Sequence, residues 1–323
     1  MKLVIQIPCL NEEGALPGTL ADLPKRIDGI DEIAILIIDD GSTDRTVEVA
    51  KAHGAAKVVS FTSNQGLSKA FAAGLDEALR MGADIIVNTD ADNQYPGASV
   101  ADLVRPILEG RADIVVGDRQ TATLSHFSPT KKLLQRLGSW VVRKVSGTTV
   151  PDATSGFRAF SREAALRINI VSPFSYTLET IIQAGKKGLA VASVPIAANR
   201  VERPSRLFRS NWSFVKNQSA TILRVTVMYE PLKTFAYLSL VPFLMGTGLG
   251  VRFLWSYFTT DSPGKVQSMI VAAVLFMLSF LLMVLGIIAD LIYGSRRLVE
   301  ESLYRSRKQE LAESRRDKPS ARP

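Results

Sequence analysis

The chain has 323 residues, 46% hydrophobic and 22% charged, a balance that excludes a disordered or collagen-like protein and permits a core of ordinary size. One cysteine, Cys9, and two histidines, His53 and His126, exclude a disulfide framework, a zinc finger and a histidine-rich metal site. The net charge of +8 favours an anionic partner: nucleic acid, phospholipid or a phosphorylated substrate. Residues Met1–Glu13 are too short and too acidic at their end for a secretory signal, so the machinery is expected to face the cytosol.

In chain order, the apolar runs Leu3–Ile7, Ile33–Ile38, Lys57–Phe61, Asp84–Asn88, Asp113–Gly117 and Ala190–Pro195 predict strands. Between them, Thr43–His53, Leu67–Met81 and Ser99–Glu109 place apolar residues at helical spacing. This alternation predicts an α/β domain whose mostly parallel sheet is covered on both faces, with ligands beyond the carboxyl ends of the strands. Polar clusters fall at those ends. The first strand runs into Pro8-Cys9-Leu10-Asn11-Glu12-Glu13 rather than a G-x-G-x-x-G turn, and no P-loop is present, which argues against a dinucleotide-binding dehydrogenase.

The second strand closes on Asp39-Asp40-Gly41-Ser42-Thr43-Asp44. Gly41 permits a tight turn, and Ser42 or Thr43 is expected to cap the next helix. The fourth closes on Asp90-Ala91-Asp92, whose carboxylates point to the same side of an extended chain and repel unless a cation lies between them. Hard oxygen ligands of this kind, with Gln94 as a further neutral oxygen, suit Mg²⁺ or Mn²⁺ shared with a substrate phosphate. A solvated turn is the competing reading of this D-x-D pair taken alone.

Residues Arg206–Tyr229 can form an amphipathic helix, with Phe208, Trp212, Val215 and Ile222 along one stripe and Arg209, Lys216 and Arg224 free to meet headgroups. Thr234–Val251 and Met269–Ala289 are uncharged apolar runs, about 27 and 31 Å long as helices, close to the bilayer's hydrocarbon thickness. Trp255, Tyr257 and Phe258 stand at one water boundary and Tyr237 and Tyr293 near the other, as an aromatic belt would. Asn199–Lys233 holds seven basic residues against two acidic ones, and Gly294–Pro323 nine against five, so both ends are expected on the cytosolic side of an inner-membrane hairpin. Asp290 reads as interfacial, and Arg296–Arg316 as a solvated helix or a disordered arm. The expected division is a catalytic domain over 1–205, juxtamembrane helices over 206–232, two membrane helices over 233–293 and a basic tail over 294–323.

Together with Asn64-Gln65-Gly66 and Asp152-Ala153-Thr154-Ser155-Gly156-Phe157-Arg158, the clusters Ile7–Glu13, Asp39–Asp44 and Asp90–Gln94 resemble the family 2 glycosyltransferases of GT-A fold. The resemblance is to the polyprenyl-phosphate glycosyltransferases, such as dolichyl-phosphate mannose synthase and its two-helix bacterial relatives. It covers roughly residues 2–210 and implies that Pro8, Asn11 and Glu12 form a nucleotide-binding turn, with Asp39, beside Asp40, holding the base or ribose. Asp90, Ala91, Asp92 and Gln94 are implied as the metal and diphosphate site, and Asp92 among the catalytic residues. Arg119 matches a phosphate-binding arginine, Asp152 a residue often proposed as catalytic base, and Arg200 and Arg206 a segment that closes over the diphosphate. Departures are Asp118 before Arg119, a lysine displaced to Lys69, and Arg203-Pro204-Ser205-Arg206 where the family usually has Gly-x-Ser-Lys.

The implied reaction moves a sugar, with inversion, from a nucleotide-diphosphate sugar onto a polyprenyl phosphate. A phosphate acceptor is already largely ionised at neutral pH and hardly needs a base, so Asp152 is expected to orient more than to remove a proton. An ion pair between Asp152 and Arg158 is the structural alternative. A family 2 enzyme acting on a glycan or polysaccharide remains the alternative function; nucleic acid is not expected as a partner, and the oligomeric state and the sugar are open.

Overall fold

The computed structural model describes residues 1–120, 129–172, 176–197, 199, 220, 223–259 and 266–316. The chain divides into two compact units, Met1–Ile222 with Tyr304–Pro323, and Leu223–Leu303.

In the first unit the order is β1 (Lys2–Cys9), α1 (Leu16–Asp22), β2 (Glu32–Asp39), α2 (Thr46–Ala52), β3 (Lys57–Ser60), α3 (Leu67–Arg80), β4 (Ile85–Asn88), α4 (Ser99–Leu108), β5 (Ile114–Asp118), α5 (Pro129–Ser146), β6 (Arg158–Ser161), α6 (Arg162–Arg167), α7 (Tyr176–Lys186) and β7 (Val191–Pro195). The seven strands form one sheet in the order β3-β2-β1-β4-β6-β5-β7. All neighbours pair in parallel except β6, which runs antiparallel to both β4 and β5. The mostly parallel α/β architecture is therefore present, with one reversed strand, β6, that is not among the strands the apolar runs predict.

The apolar runs read as strands because both faces of the central strands are covered. Leu3, Ile5 and Ile7 of β1 are fully buried and share a core with Leu16 of α1 and Val100, Leu103 and Val104 of α4. Each such side chain contributes roughly 1.5–3 kcal/mol by leaving water. On the other face α3 comes close at Gly74, where a Cβ would overlap the Gln6 Oε1. Gln6, fully buried in β1, donates from Nε2 to Asn88 Oδ1 at 2.9 Å. That bond ties the carboxyl ends of β1 and β4 together beneath the polar turns.

The second unit contains α8 (Pro231–Thr259) and most of α9 (Val266–Arg316). Both are long and apolar enough to cross a membrane, with mean hydropathy of 1.5 and 2.9 over their most apolar windows. Only 17% and 11% of those windows is buried, the reverse of what a pair of core helices would show. The helices approach through small residues. Ser279 donates to the Ser239 carbonyl at 2.9 Å, a Cβ on Gly246 would meet the Ala272 carbonyl at 3.3 Å, and one on Gly286 would meet Phe235 at 2.8 Å. Asp290 lies inside α9 and is exposed.

The expectation of a solvated or disordered tail is corrected in part. Helix α9 continues to Arg316, and Tyr304 and Arg307, one turn apart, face the first unit's α6 region. Tyr304 donates to Glu163 at 2.8 Å and Arg307 to Asn169 at 2.9 Å. Of the amphipathic helix expected over Arg206–Tyr229, residues 206–219, 221 and 222 lie outside the described residues.

Candidate functional site

The candidate site lies at the carboxyl ends of β1, β2, β4 and β5, where parallel strands leave polar turns free to meet ligand. The β1 and β2 turns brace each other. Asn11, with a φ of 55°, accepts the Thr43 N–H at 2.8 Å, while its own N–H donates to Ser42 Oγ at 2.9 Å. The Glu12 N–H donates to Thr46 Oγ1 at 2.8 Å. Ser42 and Thr43 thus do not cap α2, which begins at Thr46 behind Arg45 without a side-chain cap; they hold the Asn11 turn instead. Gly41 is required here, since its φ is 76° and a Cβ would lie 2.7 Å from the Ser63 backbone.

Asp39 and Asp40 are both buried but differ in use. Asp40 accepts the N–H groups of Gln65 and Gly66 at 2.7 and 3.0 Å, one on each carboxylate oxygen, and so pins the Asn64-Gln65-Gly66 turn. Asp39 Oδ1 accepts the Ser42 N–H at 2.9 Å, and Oδ2 has no hydrogen bond among the described residues. Pro8 is buried within β1. Lys69 reaches Gln65 Oε1 at 3.4 Å.

The β4 turn carries the charge. Asp92 accepts the Gln94 N–H at 3.1 Å, Asn93 takes a φ of 54°, and the buried Ala91 offers its carbonyl to Thr19 of α1 at 2.8 Å. Neither oxygen of Asp90 accepts a hydrogen bond among the described residues. Burial first, and then the nearby Asp92, push the Asp90 carboxyl up to about 7, against the opposing field of Arg119 and with Glu12 adding to the rise. A carboxylate so raised is short of positive charge. The Asp90 oxygens stand 3.2 and 3.3 Å from where a Cβ on Gly156 would be, so that glycine keeps the side chain's surroundings open. Among the described residues no cluster of three or more acids, histidines or cysteines stands ready for a metal. Asp90 and Asp92 offer two carboxylates, the number that a Mg²⁺- or Mn²⁺-like ion takes from a protein when water and substrate phosphate complete its shell.

Beneath this turn lies a layer that sequence reasoning missed. Asn88 donates to the Gly156 carbonyl at 2.9 Å and to the Tyr176 hydroxyl at 3.0 Å. Tyr176 stacks on Phe71 with 3.9 Å between ring centroids, and Tyr95 stacks on Phe157 while accepting the Gly156 N–H at 3.3 Å. The two phenols thereby hold the Gly156 backbone beside Asp90. Asn199, four residues past the end of β7, locks the same turn, donating its N–H to the Gln94 carbonyl at 2.9 Å and its side-chain amide to the Asn93 carbonyl at 3.0 Å. Tyr95 could have been noticed for its place three residues past Asp92; Tyr176 and Asn199 had no local signal.

At the end of β5, Arg119 grips Asp152 with two parallel bonds, Nε to Oδ2 at 2.7 Å and Nη2 to Oδ1 at 3.1 Å. Thr154 closes the group, accepting from Arg119 Nη2 at 2.8 Å and donating to Asp152 Oδ1 at 2.9 Å. Burial works to raise the Asp152 carboxyl, but the Arg119 charge and these hydrogen bonds outweigh it and hold the group below the usual carboxylate range. Nη1 of Arg119 is left without a hydrogen bond among the described residues. Asp118 accepts the Gln120 N–H at 2.9 Å and shapes the turn that follows.

The alternative pairing of Asp152 with Arg158 is not what forms. Arg158 is fully buried and donates to the carbonyls of Ser155, Ala153 and Thr177 at 2.8, 2.8 and 2.5 Å, and to the Thr180 hydroxyl. Burial pulls its pKa down to about 10. It joins the Asp152–Gly156 loop to α7. The site thus brings Asn11, Glu12, Asp39, Asp90, Asp92 and Arg119 to one end of the sheet; Arg200 and Arg206 lie outside the described residues.

Comparison with known proteins agrees with this geometry. The family model described as "Glycosyl transferase family 2" matches residues 4–168. An uncharacterized protein of Methanocaldococcus jannaschii is 34% identical over 60% of this chain and 80% of its own length. A dolichyl-phosphate hexose transferase of Haloferax volcanii is 31% identical over 60% and 81%, and an undecaprenyl-phosphate mannosyltransferase of Micrococcus luteus 27% identical over 61% and 83%. Among solved structures, glucosyl-3-phosphoglycerate synthase from Mycobacterium tuberculosis, in complex with Mn²⁺, uridine diphosphate and phosphoglyceric acid, superposes with a TM-score of 0.54. That match is 20% identical, over 70% of this chain and 77% of the other. The chain belongs to glycosyl transferase family 2 and is a glycosyltransferase of GT-A fold.

Proposed function

We propose that the protein transfers a sugar, with inversion, from a nucleotide-diphosphate sugar to a polyprenyl phosphate at the cytosolic face of the membrane. The observation that carries this reading is an acidic turn short of positive charge and a largely buried arginine clasp at one end of the sheet, in a chain that also holds two candidate membrane helices. The activities for which the Haloferax and Micrococcus relatives are named support the same acceptor class.

Asp39, through its open oxygen, and the Asn11–Glu12 turn are assigned to the nucleoside. Asp90 and Asp92, with Gln94, would hold a divalent ion, which supplies charge neutralisation for the departing diphosphate. Without a cation, Glu12, Asp39, Asp90 and Asp92 would repel a diphosphate. Arg119 presents Nη1 to a phosphate oxygen, its fork already oriented by Asp152 and Thr154. An acceptor phosphate oxygen forms the new bond to the anomeric carbon as the bond to the donor diphosphate breaks, the electron pair leaving with the diphosphate. Asp152 takes no proton in this scheme. Both its oxygens are engaged and its carboxyl stays ionised, and the acceptor, with a second pKa of about 6, needs no base.

The test is incubation of the full chain with radiolabelled nucleotide sugars and undecaprenyl phosphate, with and without EDTA. Butanol-extractable label that depends on metal supports the proposal. Label recovered only in water-soluble glycan would move the acceptor to the alternative class.

A further inference from the structure

We propose that helix α5 is a second membrane contact of this protein, a surface helix that seats Trp140 and Lys144 in the headgroup layer of an anionic bilayer. The helix, Pro129–Ser146, contains Lys131, Lys132, Arg136, Arg143 and Lys144 and no acidic residue. One of its faces is committed to the protein. Ser139, Val142 and Ser146, spaced three and four apart, are buried, and the Ser146 carbonyl comes so close to Gly185 of α7 that a Cβ there would overlap it. The opposite face exposes Trp140 and Lys144, one turn apart, with Trp140 51% exposed.

That exposure is unusual for this unit. Outside Leu223–Leu303, the exposed large hydrophobic side chains among the described residues are Met1, Trp140 and Val171. An indole beside a lysine, on a helix of one sign of charge, matches the headgroup region, where an apolar body and a polar edge are both satisfied and anionic lipid attracts the cations. Charge also selects among occupants, since a second copy of a helix that holds five basic and no acidic residues would set like charge against like charge.

The location links the contact to the site. Ser139 Oγ accepts the Ala153 N–H at 3.3 Å, and Arg143 donates to the Val150 carbonyl at 3.4 Å. The helix that would rest on the bilayer is therefore one hydrogen bond from the loop holding Asp152, the partner of Arg119. The inference rests on the membrane-bound reading of the chain and not on the identity of donor or acceptor.

The test uses the full chain in vesicles of phosphatidylcholine and phosphatidylglycerol at about seven to three, with a shallow doxyl-labelled lipid as quencher. One variant keeps Trp140 alone (Trp212→Phe, Trp255→Phe); the other keeps Trp255, in the candidate membrane helix α8, alone (Trp140→Phe, Trp212→Phe). The expected result is a loss of Trp140 emission of about twofold on adding the doxyl lipid, weakened by Lys144→Glu and by omitting phosphatidylglycerol. Quenching of Trp255 with Trp140 unchanged would overturn the surface contact and leave the membrane reading standing. Absence of quenching at both positions would overturn the two together.

Discussion

The turns that close β2 and β4 flank the same central strand and each carries two aspartates, yet they are electrostatic opposites. Asp40 receives a backbone N–H on each oxygen, so its charge is consumed inside the protein. Asp90 receives none among the described residues and its carboxyl is lifted to about 7, so its charge waits for something from outside. The two acidic turns are therefore not equivalent: Asp40 is spent on backbone N–H groups, whereas on the proposed function Asp90 is left to meet the ligand.

The largest effect that separates them is expected at the β4 turn. Asp90→Ala or Asp92→Ala should lower kcat by about 10³-fold, the several kcal/mol that a charge-neutralising ion supplies, with little change in melting temperature. Asp40→Ala should do the reverse. Two N–H groups lose a charged acceptor, for a cost of about 2 kcal/mol and a melting temperature several degrees lower, read by thermal unfolding in detergent, while turnover of the folded fraction changes far less. Equal kinetic loss in both variants would erase the distinction.

Asp152→Asn sits between these cases. It leaves Arg119 buried without its counter-charge, which costs stability and misplaces Nη1, so activity should fall by about 10²-fold. The pH–rate profile should nevertheless keep its shape, because the Asp152 carboxyl is held ionised below the usual carboxylate range and does not titrate near neutrality. Loss of one ionisation from that profile would restore the base role.

A smaller effect follows from Asp90 itself. Its raised pKa means that the metal-free protein carries a proton there below about pH 7 and contributes stability that is lost as pH rises through that value. On the proposed function, a divalent ion bound there would displace this proton. Calorimetric titration with Mn²⁺ in two buffers of different ionisation enthalpy should show about one proton released at pH 6 and almost none at pH 8.5, with affinity rising between them.

What could be read from the sequence follows the same division between local and distant causes. β1, β2 and β4 were legible because burial on both faces turns a strand into a continuous apolar run. β6 was not, since Arg158-Ala159-Phe160-Ser161 opens with a charged residue and its reversed pairing with β4 and β5 depends on elements far away in the chain. The β4 turn stood out because two aspartates at a spacing of two repel locally. The partner of Asp152 did not, because Arg119 lies 33 positions upstream and nearby Arg158 was the nearer choice. Ser42 and Thr43 look like helix caps from their own neighbourhood; their use against Asn11 exists only once β1 and β2 lie side by side.

The central claim, on the proposed function, is that a divalent ion on the Asp90–Asp92 turn makes the largest contribution to holding the nucleotide diphosphate, beside Arg119 and the Asn11–Glu12 turn. Its most direct test is calorimetric titration of the full chain with UDP and with GDP, in excess Mn²⁺ and in EDTA. The account predicts that one nucleotide binds at least about 100-fold more tightly with Mn²⁺ and that Asp90→Asn abolishes the difference. Equal affinity with and without the ion would contradict it.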